Sequence, residues 1–122
     1  MNLSTDGANA ILDGTPMPAT LWCQLHIGNP TAAGTANVAA ESDRVSFTRT
    51  AGVAGASSNV ARLEWLNAAG TETITHFSLW SASSAGTCWW VGAVVGGSLG
   101  VIAGETIEVD IGLLDLAFTI WS

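Results

Sequence analysis

The chain has 122 residues, 48% of them hydrophobic and 11% charged, with 14 glycines, six tryptophans and no tyrosine. Ten acidic residues against three arginines and no lysine give a net charge of −7, which excludes the clustered cations that a nucleic-acid backbone or an anionic membrane surface demands. The apolar content excludes disorder and fits one domain, residues 1–122, which buries roughly two-thirds of its unfolded surface around one core.

The first segment predicts a short helix. Ser4, Thr5 or Asp6 caps it, "ANAIL" forms its body, and Gly14 ends it ahead of Pro16 and Pro18. Beyond it helical periodicity vanishes. Short runs of β-branched and aromatic residues alternate with Gly, Ser, Asn and Ala, which predicts strands over 19–27, 44–50, 60–66, 73–80, 87–95, 106–111 and 116–121. "NAAGTET" and "SASSAGT" are the turns between some of them. Closely spaced strands of this kind point to an all-β fold, an antiparallel β-sandwich or jelly-roll-like domain with one short N-terminal helix.

No charged residue falls within 73–104. Glycine nevertheless recurs through "VGAVVGGSLGVIAG", and the apolar part from Cys88 is too short for a membrane helix of ~20 residues. Two strands joined at "GGS" are expected instead. "MNLSTDGANAILDG" has neither the basic start nor the long apolar run of a signal peptide. The expectation is therefore no membrane partner and no nucleic acid.

The connection "GNPTAAGTANVAAESD", residues 28–43, is too long for a simple turn. Loops of this length in compact domains either bind something or pack as an ordered Ω-loop. Its alanines predict that it lies against a surface, its own domain's or a neighbouring subunit's.

Two stretches carry the residue types of chemistry, "LWCQLHIGNP" at 21–30 and "ITHFSLW" at 74–80. Strand alternation puts Trp22, Gln24 and His26 on one face and Leu21, Cys23, Leu25 and Ile27 on the other. Cys23 and His26 thus point apart and cannot ligate one metal. In the second stretch Ile74, His76, Ser78 and Trp80 share a face, and antiparallel pairing is expected to set each histidine across from the other strand's tryptophan. No further ligands at metal spacing, no nucleophile motif and no phosphate-binding glycine motif occur. Glu105, Glu108 and Asp110 suggest a solvated strand edge before a carboxylate pair or a calcium site. Cys23 and Cys88 read as unpaired core thiols. No catalytic, cofactor-binding or metal residue is expected, and no enzyme. Adjacent Trp89 and Trp90 must face opposite sides of a regular strand, so one of them is expected at the surface or at an interface, where it would serve a glycan or a subunit.

Three blocks carry a resemblance. The first supplies Leu25, His26, Gly28, Asn29, Pro30, Gly34, Asn37, Glu41 and Arg44; the second, Thr75, His76, Leu79, Trp80 and Gly86; the third is "IAGETIEVDIGLLDLAF". In order and spacing the chain resembles a family of small tailed-phage virion proteins, usually labelled phage tail fibre proteins and common in phages of actinobacteria. It departs from the pattern at Asp43, where a tyrosine often stands, and in the longer fillings "AAGTAN" and "AAESD".

The resemblance implies a non-enzymatic structural protein on the surface of a phage particle, made in the cytoplasm of the host bacterium. Its expected partners are other virion proteins, the major capsid protein or tail proteins, and further copies of itself, with a trimer the leading homo-oligomer. A sparsely charged, tryptophan-rich domain without fibrous repeats suits a capsid decoration or cement protein first. A minor tail or tail-fibre module that contacts the host surface, with glycan binding as one mode, is the alternative.

Overall fold

The structure, a computed structural model, describes residues 2–49, 56–94, 97–109 and 115–117. A two-residue strand, β1 (Asn2–Leu3), leads into helix α1 (Thr5–Leu12). Ser4 is the N-cap, and its Oγ accepts from the Gly7 N–H at 2.9 Å. The other end closes as expected at Gly14, whose φ is +83°. Gly14 N–H donates to the Ile11 carbonyl and Thr15 N–H to that of Ala10, the paired bonds of a Schellman ending.

The remaining elements are strands: β2 (Thr20–His26), β3 (Val45–Thr48), β4 (Ala56–Ser58), β5 (Leu63–Trp65), β6 (Glu72–Ile74), β7 (His76–Trp80), β8 (Cys88–Ala93), β9 (Leu99–Val101), β10 (Ile107–Val109) and β11 (Asp115–Ala117). One sheet has five strands in the order β1-β8-β7-β2-β3, and three two-stranded ribbons pair β10 with β5, β11 with β4 and β6 with β9. Every one of these pairings is antiparallel. The fold is all-β and sandwich-like, as composition and patterning predict. No helix among the described residues is long and apolar enough to cross a membrane.

The core forms where one face of the large sheet meets the ribbons. Leu21, Cys23, Leu25, Phe47, Phe77, Leu79 and Trp90 come from the sheet, and Leu63, Trp65, Ile74, Val101 and Ile107 from the ribbons; all lie in one buried cluster. The alternation read from "LWCQLH" is observed: Leu21, Cys23 and Leu25 are buried, while Trp22 and Gln24 on the other face are half-buried.

The run expected as one strand over 73–80 is two. β6 pairs with β9, whereas β7 sits between β2 and β8. The break falls at Thr75, whose N–H donates to the His26 carbonyl and whose own carbonyl accepts from Val94. Strands do flank "GGS", but β8 and β9 belong to different sheets. The expected strands over 44–50, 106–111 and 116–121 are found in part, at β3, β10 and β11; their remaining residues include Thr50, 110–111 and 118–121, which lie outside the described residues.

A second correction concerns Trp89 and Trp90. Both are buried, at 2% and 1% exposure. The register slips between Leu79, which faces Trp90, and Trp80, which faces Cys88, so Trp89 is an inserted residue of a β-bulge. A bulge suspends strict alternation and lets neighbouring side chains both turn inward. Helix α1 docks on the same place. Ser4 N–H donates to the Trp89 carbonyl at 2.9 Å, and a Cβ on Gly7 would lie 2.5 Å from that oxygen. Trp90 Nε1–H donates to Met17 Sδ at 3.0 Å.

Candidate functional site

Both histidines stand on the sheet face turned away from the core. β2 pairs β7 with Trp22 opposite Trp80, Gln24 opposite Ser78 and His26 opposite His76. Each histidine was expected across from a tryptophan, and that expectation is overturned. An antiparallel pair matches Trp-x-x-x-His with His-x-x-x-Trp like against like; histidine against tryptophan would require parallel strands.

The centre of this face is a chain of hydrogen bonds. His26 Nδ1 lies 2.8 Å from the Ala36 carbonyl, which can only accept, so Nδ1 carries the proton. In the neutral ring Nε2 then accepts, and Ser78 Oγ, 2.7 Å away, donates to it. Ser78 Oγ in turn accepts from Trp80 Nε1–H at 2.8 Å. His26 and Ser78 are both at 0% exposure. Burial lowers the His26 pKa from its ordinary value of 6.5, against the raising effect of the bond to Ala36, with His76 and Arg44 lowering it further. His76 is half-buried and its Nδ1 hydrogen-bonds with Thr75 Oγ1 at 2.8 Å.

A serine donating to an imidazole is the geometry of an activated nucleophile. Here, however, the other ring nitrogen meets a backbone carbonyl in place of a carboxylate, and neither the hydroxyl nor the ring meets solvent. The arrangement can rigidify the layer. It offers a substrate no path to Ser78 Oγ in this conformation.

The cover over this face is loop 28–43, which lies against its own domain. It folds back on the end of β2, where Val38 pairs with His26, with Ile27 N–H donating to Asn37 and Ala39 N–H to Leu25. Inside it, Asn29 Oδ1 accepts from Thr31 N–H and Asn37 Nδ2–H donates to the Asn29 carbonyl. Gly34, at φ +75°, is pressed against Cys88 and Trp80 so closely that a side chain there would meet Cys88 Sγ. Thr5 N–H donates to the Ala32 carbonyl, tying the loop to the helix. Glu72 accepts from the amides of Ala40 and Glu41 at 2.9 and 3.2 Å, and the buried Glu41 carboxylate accepts from Ala69 N–H at 2.8 Å.

Arg44 closes the site. Its guanidinium lies 4.1 Å from the centroid of a Trp80 ring and donates to the carbonyls of Ala82 and Ala85. The same arginine borders an open groove of ≈ 610 Å³ between 41–45, 64–66 and Ser83–Ser84, into which Asp43, Glu64 and Leu66 also face. Trp65 lines it too, its indole N–H donating to the Asp43 carbonyl.

The other expected candidates separate. Cys23 and Cys88 are free, buried and on opposite faces of the sheet. Burial raises both thiols, Cys88 to about 11. Glu108 pairs with Arg62 at 3.6 Å, both about half exposed, while Glu105 is exposed and Asp110 lies outside the described residues. Among the described residues no group of three potential ligands could hold a metal ion. Sequence reasoning missed Glu72 and the double role of Ser78; neither carries a local signal, since each acts on a segment distant in the chain.

Compared with known families, residues 2–117 match the model of podophage GP4 fiber I protein gp80. No curated protein matches the chain.

Proposed function

Because the chain belongs to the podophage GP4 fiber I protein gp80 family, a phage structural fibre protein, we propose that it is a non-enzymatic module of a tail fibre, acting as a homo-oligomer among other virion proteins. The observation that carries the non-enzymatic part is the fate of His26, Ser78 and Trp80, whose polar atoms bond to one another and to the domain's own loop. Membership of a fibre family supports a place in the tail over a place as decoration on the capsid exterior. Family membership also supports contact with the host surface, for which the open groove beside Arg44 is one concave surface among the described residues. Trp89 and Trp90 are buried and cannot serve as a stacking platform for a glycan.

Copy number in purified particles tests this reading. A fibre module is present in a handful of copies and is lost with the tails when particles are fractionated. Hundreds of copies that stay with the heads would establish capsid decoration and overturn the fibre placement. Light scattering of the purified protein tests the oligomer, with a trimer expected and a monomer at all concentrations contradicting it.

A further inference from the structure

Loop 28–43 is fastened to the sheet through a base. His26 Nδ1–H donates to Ala36, and the ring is sealed beneath the loop it holds. The groups facing His26 are of one sign or neutral. From β7 come His76, directly opposite, and Ser78; from the loop, the carbonyls of Ala36 and Asn37; from the start of β3, Arg44. On β8 the Cys88 thiol, beneath Gly34 of the same loop and raised to about 11, is neutral at ordinary pH. Among the described residues the ion pair found is Arg62–Glu108, and no carboxylate pairs with either imidazole.

A proton on His26 therefore creates a cation without a counter-charge, beside Arg44 and His76. It also turns Nε2 into a donor, so the Ser78 hydroxyl loses its acceptor while still accepting from Trp80. Solvating the ring relieves both costs, and the loop is the least strongly packed barrier to water. Its residues are mostly exposed, with Pro30, Gly34, Ala39 and Glu41 buried, whereas the opposite face of β2 and β7 carries Leu21, Cys23, Leu25, Phe77 and Leu79 in the core.

We infer that residues 28–43 form an acid-released cover, which lifts from Trp80 and Cys88 when His26 takes up a proton while the five-stranded sheet stays folded. The sign follows from linkage. Closed, His26 resists protonation below 6.5; open, it titrates near that ordinary value. The cover is thus fully held above about 6.5 and weakens as pH falls below it, the open form gaining roughly tenfold per pH unit until the closed-form pKa is reached.

The two cysteines read this out separately. Cys88 lies under Gly34, and Cys23 lies in the core on the other face. The probe is modification by 4,4′-dithiodipyridine, with each rate divided by that of the same cysteine in the urea-unfolded chain at the same pH. As pH falls below about 6.5, Cys88 is expected to gain by up to roughly tenfold per pH unit while Cys23 stays protected. A flat Cys88 rate, or both thiols rising together as in global unfolding, would overturn the inference. His26→Gln keeps an amide donor for Ala36 and takes up no proton, so its Cys88 rate should not depend on pH; a wild-type slope in that variant would also overturn it. The wild-type rates decide the matter even if that variant fails to fold.

Discussion

Ser78 joins two side chains that a buried layer cannot leave unpaired, accepting from Trp80 Nε1–H and donating to His26 Nε2. Each buried polar group that loses its partner costs ~1–3 kcal/mol. Ser78→Ala is therefore expected to lower stability by about 2–4 kcal/mol in urea unfolding; a loss under ~0.5 kcal/mol would mean that the bonds contribute nothing net. Gly34 and Gly14 separate two effects in the same way. Both have positive φ, but a Cβ on Gly14 meets nothing within 4 Å, whereas one on Gly34 meets Cys88 and Trp80. Gly14→Ala should cost about 1–2 kcal/mol for the backbone alone, and Gly34→Ala a further ~1–3 kcal/mol for overpacking. Equal losses would refute the close seating of the loop. The faces of β2 were legible in the sequence, because "LWCQLH" alternates cleanly. The partners of His26 were not legible, since Ala36 and Ser78 reach it through a loop closure and a strand register that no local pattern encodes.

Among the elements, helix α1 shows how much of a boundary local chemistry dictates. Gly14 ends it as read in advance and Ser4, one of three cap candidates, caps it, whereas Gly7 owes its identity to the approach of the Trp89 carbonyl. Gly7→Ala raises intrinsic helix propensity by ~1 kcal/mol, yet is expected to destabilise the protein because the added methyl collides with backbone. A stabilised Gly7→Ala variant in thermal unfolding would show that the helix is free to move off the sheet. The β5–β10 ribbon carries the opposite kind of conflict, with Glu64 directly across from Glu108. Like charges in that position are unfavourable by roughly 0.2–1 kcal/mol. Glu64→Gln should therefore stabilise by up to that amount at low salt, and less in 1 M salt; no gain at low salt would mean that Arg62, paired with Glu108, already offsets the repulsion. Strand existence was legible from β-branched and aromatic runs. The bulge at Trp89 and the break at Thr75 were not, because both arise where one strand serves two partners.

For the whole molecule, one buried cluster links the large sheet to the β5–β10 and β6–β9 ribbons, so the domain should unfold as a unit. Tryptophan fluorescence and far-ultraviolet circular dichroism are expected to report coincident urea transitions at neutral pH; separated midpoints would contradict a single core. The class of fold was legible from composition, and the surface that works was not. Residues whose types suggest chemistry are turned inward, where their polar atoms bond to one another and, through His26, to loop 28–43. Nitrogen NMR of the His26 ring tests that assignment most directly. The structure predicts a neutral ring protonated at Nδ1, hydrogen-bonded at both nitrogens and titrating below the ordinary 6.5. A ring protonated at Nε2, or one titrating freely at its ordinary value, would contradict it.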